Sequence, residues 1–445
     1  MASGRAYVPR HLYFYMKGDR EILHLAVPAI ISNITVPLLS LADSAIVGHM
    51  GAATYIAAIA VGGSMFNMVY WLLGFLRMGT SGLTAQAYGA SDRSSAEDIL
   101  YRGLGVAAVT SVILIVLSPL IADAMLLFMT ADASTSAMAR TYFQIVILGA
   151  PAVLGTYVLS GWFLGMQNSR APMWIAIVTN ITNMAVSLTL VFALHMEIVG
   201  VACGTVSAQW LGLVIGLIIV RMKYQPRRIA LRRVIDRKAL RRFFSVNSDI
   251  FLRTLCLVAV SLWFTRAGSR QGTDMLAANA LLMQLFLLFS YFMDGFAFAA
   301  EALSGKYLGR ADRAGLLSTI KTVFRWGAYV SVGFTILYAV AGDWILALLT
   351  DNTDVIDAAG RFLPWAVSVP LAGLAAFAWD GVYIGLTRTR AMLRSMIVSM
   401  AVFFAGYALL TPWLGNHGLW LSFIAYLLIR GLILTLDFRQ SMKTR

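Results

Sequence analysis

The feature that most constrains this chain is a succession of long apolar runs that begins near residue 21 and continues almost to the last residue. A helix needs about 20 mostly apolar residues to cross the hydrocarbon core of a bilayer. The runs place such spans at 21–47, 54–78, 97–119, 139–162, 171–194, 199–221, 243–267, 275–300, 317–340, 360–384, 392–412 and 417–438. They are continuous rather than short and alternating, which excludes a transmembrane β-barrel. Only 13% of the 445 residues are charged, while 59% are hydrophobic. Soluble domains carry roughly a quarter charged residues, so this chain lacks the means to cover a water-facing surface. The expected fold is all-α, a polytopic membrane protein of twelve transmembrane helices.

Net charge is +14, but the basic residues cluster beside the spans, ten of them between Arg221 and Arg242. That is the positive-inside pattern of a membrane protein and argues against a nucleic-acid partner. Arg5, Arg10, Lys17 and Arg20 precede span 1, and basic residues recur after spans 2, 4, 6, 8, 10 and 12. The alternate connections carry acids, among them Asp123, Asp132, Asp343, Asp351, Asp354 and Asp357. Both termini are therefore expected in the cytoplasm, with the chain a multi-pass protein of the inner membrane. The polar, basic stretch from Met1 to Glu21 leads into a long first span and does not read as a cleavable signal peptide. Cys203 and Cys256 both lie in apolar runs, and the five histidines are scattered, so no disulfide framework or metal-ligand spacing is present.

An internal duplication runs at a constant offset of 220 residues. Tyr55-Ile-Ala-Ala-Ile-Ala lies over Met275-Leu-Ala-Ala-Asn-Ala, and Gly89-Ala-Ser-Asp lies over Gly309-Arg-Ala-Asp. Thr130 lies over Thr350, Gly161-Trp-Phe-Leu-Gly over Gly381-Val-Tyr-Ile-Gly, and Ser169-Arg-Ala-Pro over Thr389-Arg-Ala-Met. Six spans per half mean that both halves insert with the same orientation, as parallel repeats whose relative rocking gives alternating access. The expected organisation is a cytoplasmic segment 1–20, a first lobe 21–221, a basic linker 222–242, a second lobe 243–438 and a tail 439–445.

Ionisable groups at membrane depth cost about 2.5–3.5 kcal/mol each and are candidate functional sites for that reason. Asp43 stands two-thirds along span 1 with no basic neighbour one turn away. A carboxyl in a dry cavity is shifted toward proton exchange near neutral pH, so Asp43 is the candidate proton-coupling residue; the alternative is a carboxylate hydrogen-bonded to Ser or Asn of neighbouring helices. Pro28 and Pro37 remove backbone hydrogen bonds from the same span and are expected to kink it. Span 5 carries Asn180, Asn183 and Ser187 in one stripe, read either as cavity lining or as polar contacts between helices. With Thr205 of span 6 they form the candidate substrate set of the first half. In the second half, Asp294 and Glu301 share a face of span 8, and Asp380 lies in span 10. This acidic cluster either takes part in transport or forms an ion-pair network with Arg253 or Arg77. Asp249 and Arg253, four residues apart on span 7, are spaced to neutralise each other. Trp263 stands 220 residues after Asp43, so the second half does not repeat the aspartate.

The stretch from Pro28 to His49, with Leu41-Ala-Asp-Ser-Ala-Ile-Val-Gly toward its end, resembles the MATE family (multidrug and toxic compound extrusion), and within it the DinF branch. Leu76-Arg-Met-Gly-Thr-Ser-Gly-Leu-Thr-Ala-Gln-Ala-Tyr-Gly89, Asp294-Gly-Phe-Ala-Phe-Ala-Ala-Glu-Ala-Leu-Ser-Gly305 and Asp380-Gly-Val-Tyr-Ile-Gly385 carry the same resemblance. It implies a V-shaped twelve-helix antiporter that exports amphipathic, often cationic, compounds in exchange for protons or sodium. It also maps the family's span-1 aspartate onto Asp43 and its span-5 asparagines onto Asn180 and Asn183. Ser187 stands where some relatives have a second aspartate, so a scheme that needs two carboxylates in the first half does not transfer. A single carboxylate among amides binds a proton but offers sodium few anionic ligands, which favours protons over sodium.

No cofactor or metal is expected, no enzymatic activity is implied, and a monomer suffices. A lipid-linked precursor flippase has the same topology, but it calls for several basic residues in its cavity, and the spans hold few (Arg77, Arg253, Arg325). An intramembrane enzyme needs a nucleophile–base or metal constellation, and none is visible. A channel has no need of two six-helix lobes around a lone carboxylate.

Overall fold

The computed structural model describes residues 10–48, 53–127, 132–227 and 231–443; the side chains of 10–17, 36, 38–45, 47–48, 53 and 231–232 lie outside the description. The first span is α1 (Arg10–Gly48). The second is α2 (Ala53–Leu73) and α3 (Phe75–Gly89), interrupted at Gly74. The third is α4 (Arg93–Leu126), and the fourth joins α5 (Ala133–Val146) to α6 (Ala150–Gly165) through a single 3-10 turn. α7 (Arg170–Leu188) and α8 (Glu197–Ile219) each run on into a π turn. The short α9 (Leu231–Val234) lies in the basic connection. The second six spans are single helices: α10 (Arg237–Ser269), α11 (Thr273–Gly309), α12 (Arg313–Leu349), α13 (Thr353–Gly385), α14 (Thr389–Leu414) and α15 (Asn416–Lys443). No strand occurs among the described residues.

Eleven helices among the described residues are long and apolar enough to cross a membrane, and α1 carries the remaining predicted span over its 39 residues. The helices outrun the apolar runs that predicted them. The run at 275–300 becomes the 37-residue α11, about 55 Å long at 1.5 Å per residue against a hydrocarbon core of about 30 Å. Polar residues end an apolar run without ending the hydrogen-bond ladder, so the helix continues through the headgroup layer.

The duplication is visible in the backbone. Ser91 and Ala311, 220 residues apart, both adopt left-handed conformations (φ 57° and 56°), as do Gln167 and Thr387 (φ 61° and 51°). Helix starts match too. The Asp92 side chain accepts from the Ser95 N–H at 2.9 Å, and Asp312 accepts from the Gly315 N–H at 2.8 Å. These are N-caps that satisfy an otherwise orphaned donor. Hydrogen bonds from the Ser95 hydroxyl and N–H hold the Asp92 carboxyl below its ordinary range. In each half a Gly-x-x-x-Gly pair lets two helices meet at backbone distance. A methyl on Gly161 (α6) would lie 2.2 Å from the Arg77 carbonyl oxygen (α3), and one on Gly381 (α13) 2.1 Å from that of Ala297 (α11).

By packing, the chain divides into two units, Ile31–Phe251 (the first) and the residues before and after it (the second). The first 21 described residues of α1 therefore belong to the second unit, and α10 up to Phe251 belongs to the first. In the second unit, Asp19 pairs with Arg325 and accepts from Trp326 Nε1 at 2.9 Å. Glu21 accepts from Tyr307 Oη at 2.7 Å, with Lys306 Nζ at 3.5 Å. The first unit is cored by Phe143, Trp162 and Phe163, and the second by Tyr338, Phe403 and Trp420, all fully buried.

Candidate functional site

In the first unit the polar residues of α7 meet two partners. Asn180 Nδ2 donates to the Thr35 carbonyl of α1 at 3.2 Å. Asn183, 2% exposed, donates to Thr205 Oγ1 of α8 at 3.1 Å, and Thr205 donates onward to the Val201 carbonyl at 3.0 Å. Ser187 is fully buried, with its hydroxyl 3.5 Å from Asn183 Oδ1. It packs on Gly204, where a methyl would sit 2.2 Å from Ser187 Oγ. Four sequence-selected residues are thus gathered around α7: Asn183, Ser187 and Thr205 in an α7–α8 seam, and Asn180 turned to α1. Asp43 occupies α1 eight residues beyond Thr35, five before the helix ends at Gly48, but its side chain lies outside the described residues. Pro28 is buried and Pro37 half-buried, both inside the single helix α1, and the change from one unit to the other falls between them.

Two further groups of the first unit were not singled out from the sequence. Tyr70 Oη and Gln209 Oε1 are buried without a hydrogen-bond partner among the described residues. An unsatisfied polar atom in an apolar medium costs several kcal/mol, so each marks a place where a water or a bound molecule would supply the missing bond. Neither side chain carries a charge at neutral pH, which is why a search for charges in apolar runs passes over them.

In the second unit, Oδ2 of Asp380 (α13) accepts from both Arg253 (α10) and Arg430 (α15). All three residues are at most 8% exposed. The Arg430 guanidinium also lies 5.9 Å from the centre of the Phe377 ring, within cation–π range. Arg253 thus reaches across to α13, a partner beyond the local Asp249 spacing, and Arg430 was not anticipated. Asp294 accepts from Ser290 of its own helix at 3.4 Å. Glu301 is fully buried at the level where α11 and α13 touch; a methyl on Gly385 would lie 2.3 Å from its carbonyl oxygen. The three acids therefore have distinct surroundings, and Asp380 is the centre of an ion-pair network joining three helices. Above it, Asn279 of α11 and Asn416 of α15 exchange amide hydrogen bonds of 2.8 and 2.9 Å, and Trp420 Nε1 adds a third at 2.9 Å.

Comparison with known proteins places this arrangement. The MatE family model matches residues 28–189 and again 250–409. The chain is 40% identical over 430 residues to DNA damage-inducible protein F of Escherichia coli (strain K12), covering 96% of this chain and 93% of that protein. It is 24% identical to Protein DETOXIFICATION 44, chloroplastic, of Arabidopsis thaliana, over 93% of this chain and 81% of the relative. Multidrug resistance protein MdtK of Edwardsiella ictaluri is 23% identical, with 96% of each chain covered. A solved structure described as MATE in the bent conformation superposes with a TM-score of 0.86 over 98% of each chain, at 16% identity. That identity speaks to the fold alone. One family model fitting each half in turn, with a relative 40% identical along nearly the whole length, makes this multi-pass membrane protein a member of the MatE family of transporters.

Proposed function

We propose that the chain is a secondary active antiporter that exports amphipathic, often cationic, compounds from the cytoplasm in exchange for protons, by alternating access of its two units. The observation that carries this reading is Asp43. It stands in an apolar helix whose neighbour α7 presents Asn180 and Asn183, the latter bonded to Thr205 of α8, and nothing equivalent stands at Trp263 in the other half. Asp380, by contrast, has Oδ2 committed to two arginines, which supports a structural part for it. The names of relatives, multidrug resistance proteins NorM of Thermotoga maritima and MdtK of Edwardsiella ictaluri among them, support the cargo class. The alternation of basic and acidic connections supports an inner-membrane protein with both termini in the cytoplasm.

A flippase for a lipid-linked precursor needs basic groups available to a pyrophosphate. Arg430 adds one buried guanidinium to that tally, but it shares Asp380 with Arg253, which favours the antiporter. The test is transport of a fluorescent lipophilic cation into proteoliposomes under a pH gradient alone and a sodium gradient alone. Movement under the pH gradient alone is expected. Movement under sodium alone would overturn proton coupling, and movement under neither would shift the reading to the flippase.

A further inference from the structure

Within the first unit, the end of the bundle where α3 stops and α4 starts holds a cavity of about 480 Å3. Arg102 of α4, Arg233 of α9 and Arg242 of α10 line it, opposed by Asp98 and Asp236. Three guanidiniums against two carboxylates leave one net positive charge. Their donors are far from spent. Arg102 gives two to the carbonyls of Val234 and Arg233, Arg233 gives one to Ser94, and Arg242 gives one to Gln86, while each guanidinium has five.

The cavity shares Phe243 with a second, apolar groove of about 610 Å3. Leu73, Phe75, Val106, Phe244 and Phe251 line that groove. Arg102, Val106 and Thr110 follow one another at four-residue spacing on α4, so a single face of that helix leads from the charged cavity into the groove. A charged recess that opens onto an apolar channel matches the two ends of a phospholipid.

The duplication supplies an internal comparison. Leu83, Ser95, Asp98 and Ile99 of this cavity correspond, at an offset of 220, to Leu303, Gly315, Ser318 and Thr319 of a smaller cavity of about 290 Å3 in the second unit. There α1 contributes Glu21, already bonded to Tyr307 and Lys306, and a single arginine, Arg310, lines the cavity beside Asp312 where the first half has three. The basic trio is therefore a departure of the first half and not a requirement of the fold.

We infer that this cavity and groove form a binding site for a membrane phospholipid, its anionic phosphate headgroup held by Arg102, Arg233 and Arg242 and an acyl chain laid along Val106 and Phe251. Guanidiniums match phosphate oxygens in geometry and charge, and basic pockets between transmembrane helices at the membrane surface are known headgroup sites. The occupant is a lipid of the surrounding bilayer and not the transported cargo.

Native mass spectrometry of the full-length protein, titrated with phosphatidylglycerol, phosphatidylcholine or glycerol 3-phosphate, tests this. The wild type should retain one phosphatidylglycerol in preference to phosphatidylcholine. The double variant Arg233→Gln/Arg242→Gln should bind it at least about tenfold more weakly, the equivalent of one charge-assisted hydrogen bond. Val106→Trp fills the groove without changing charge and should weaken it as well. If Val106→Trp binds phosphatidylglycerol normally and glycerol 3-phosphate displaces the lipid, the cavity is a soluble-phosphate site and the lipid proposal fails. Equal retention by all three proteins overturns it outright, and the groove variant keeps the test decisive if the double variant does not fold.

Discussion

Asp380 shows how a charge is carried at membrane depth. One carboxylate between Arg253 and Arg430 leaves a net positive centre in a low-dielectric interior, and the Phe377 ring beside Arg430 offsets part of that cost. Such networks contribute little net stability, but removing one member strands the others, at about 3–5 kcal/mol. Asp380→Asn should therefore lower the thermal unfolding midpoint in detergent by that order of free energy. Asp380→Leu combined with Arg253→Met and Arg430→Met should lose much less, because no buried charge is left over. A single substitution as harmless as the triple one would contradict the network. Residue chemistry was only partly legible in the sequence. Asp380 stood out as an acid in an apolar run, and Arg253 was recognised as basic. Arg430 lies fifty residues further on, in the middle of α15, and no local spacing announces a partner that only tertiary packing brings within reach. Asn180, Asn183 and Ser187 were visible as a stripe along α7, whereas the turning of Asn180 toward α1 and of Asn183 toward Thr205 of α8 was not, since the stripe fixes a face and not the helix it meets.

At the scale of elements, the helices are specified twice, by apolar runs and by how closely they pack. A methyl on Gly161 or Gly381 would collide with a backbone carbonyl of the neighbouring helix, whereas Gly63 and Gly333 face open space. Gly381→Leu or Gly161→Leu should thus reduce the yield of folded protein severely, since backbone has nowhere to retreat, while Gly63→Ala and Gly333→Ala leave size-exclusion profiles unchanged. Helix starts carry a second, pH-dependent contribution. The folded Asp92 carboxyl is held below its ordinary range by Ser95. Its stabilisation is accordingly complete above the unfolded carboxylate value, about 3.9, and is lost as pH falls through the lower folded value. Asp92→Ala should cost about 1 kcal/mol at pH 7, and the gap between mutant and wild-type unfolding midpoints should shrink toward pH 3. A gap independent of pH would contradict the cap. The order and number of helices were legible because hydrocarbon admits few alternatives to a helix. Their ends were not, because hydropathy reports where a helix leaves lipid and the hydrogen-bond ladder runs past that point.

For the whole molecule, the duplication does more than count helices. The offset of 220 recurs in left-handed residues, N-caps and glycine contacts, so the two halves keep one architecture while their chemistry has diverged: Asp43 against Trp263, and a cavity lined by three arginines against one lined by Glu21 and Arg310. The proposed topology, with both halves inserted in one orientation, can be tested. With Cys203 and Cys256 replaced, a membrane-impermeant maleimide should label Asp354→Cys in intact cells and Lys238→Cys only after permeabilisation; the reverse pattern would invert the proposed orientation. Asp43 is proposed to couple transport to protons. The most direct test is one preparation of proteoliposomes, wild type and Asp43→Asn, measured both for uptake of a lipophilic cation driven by a pH gradient and for substrate exchange with no gradient imposed. Asp43→Asn should lose gradient-driven uptake and keep exchange, since in the proposed cycle the units still alternate with cargo bound. Gradient-driven uptake at the wild-type rate in Asp43→Asn would contradict it.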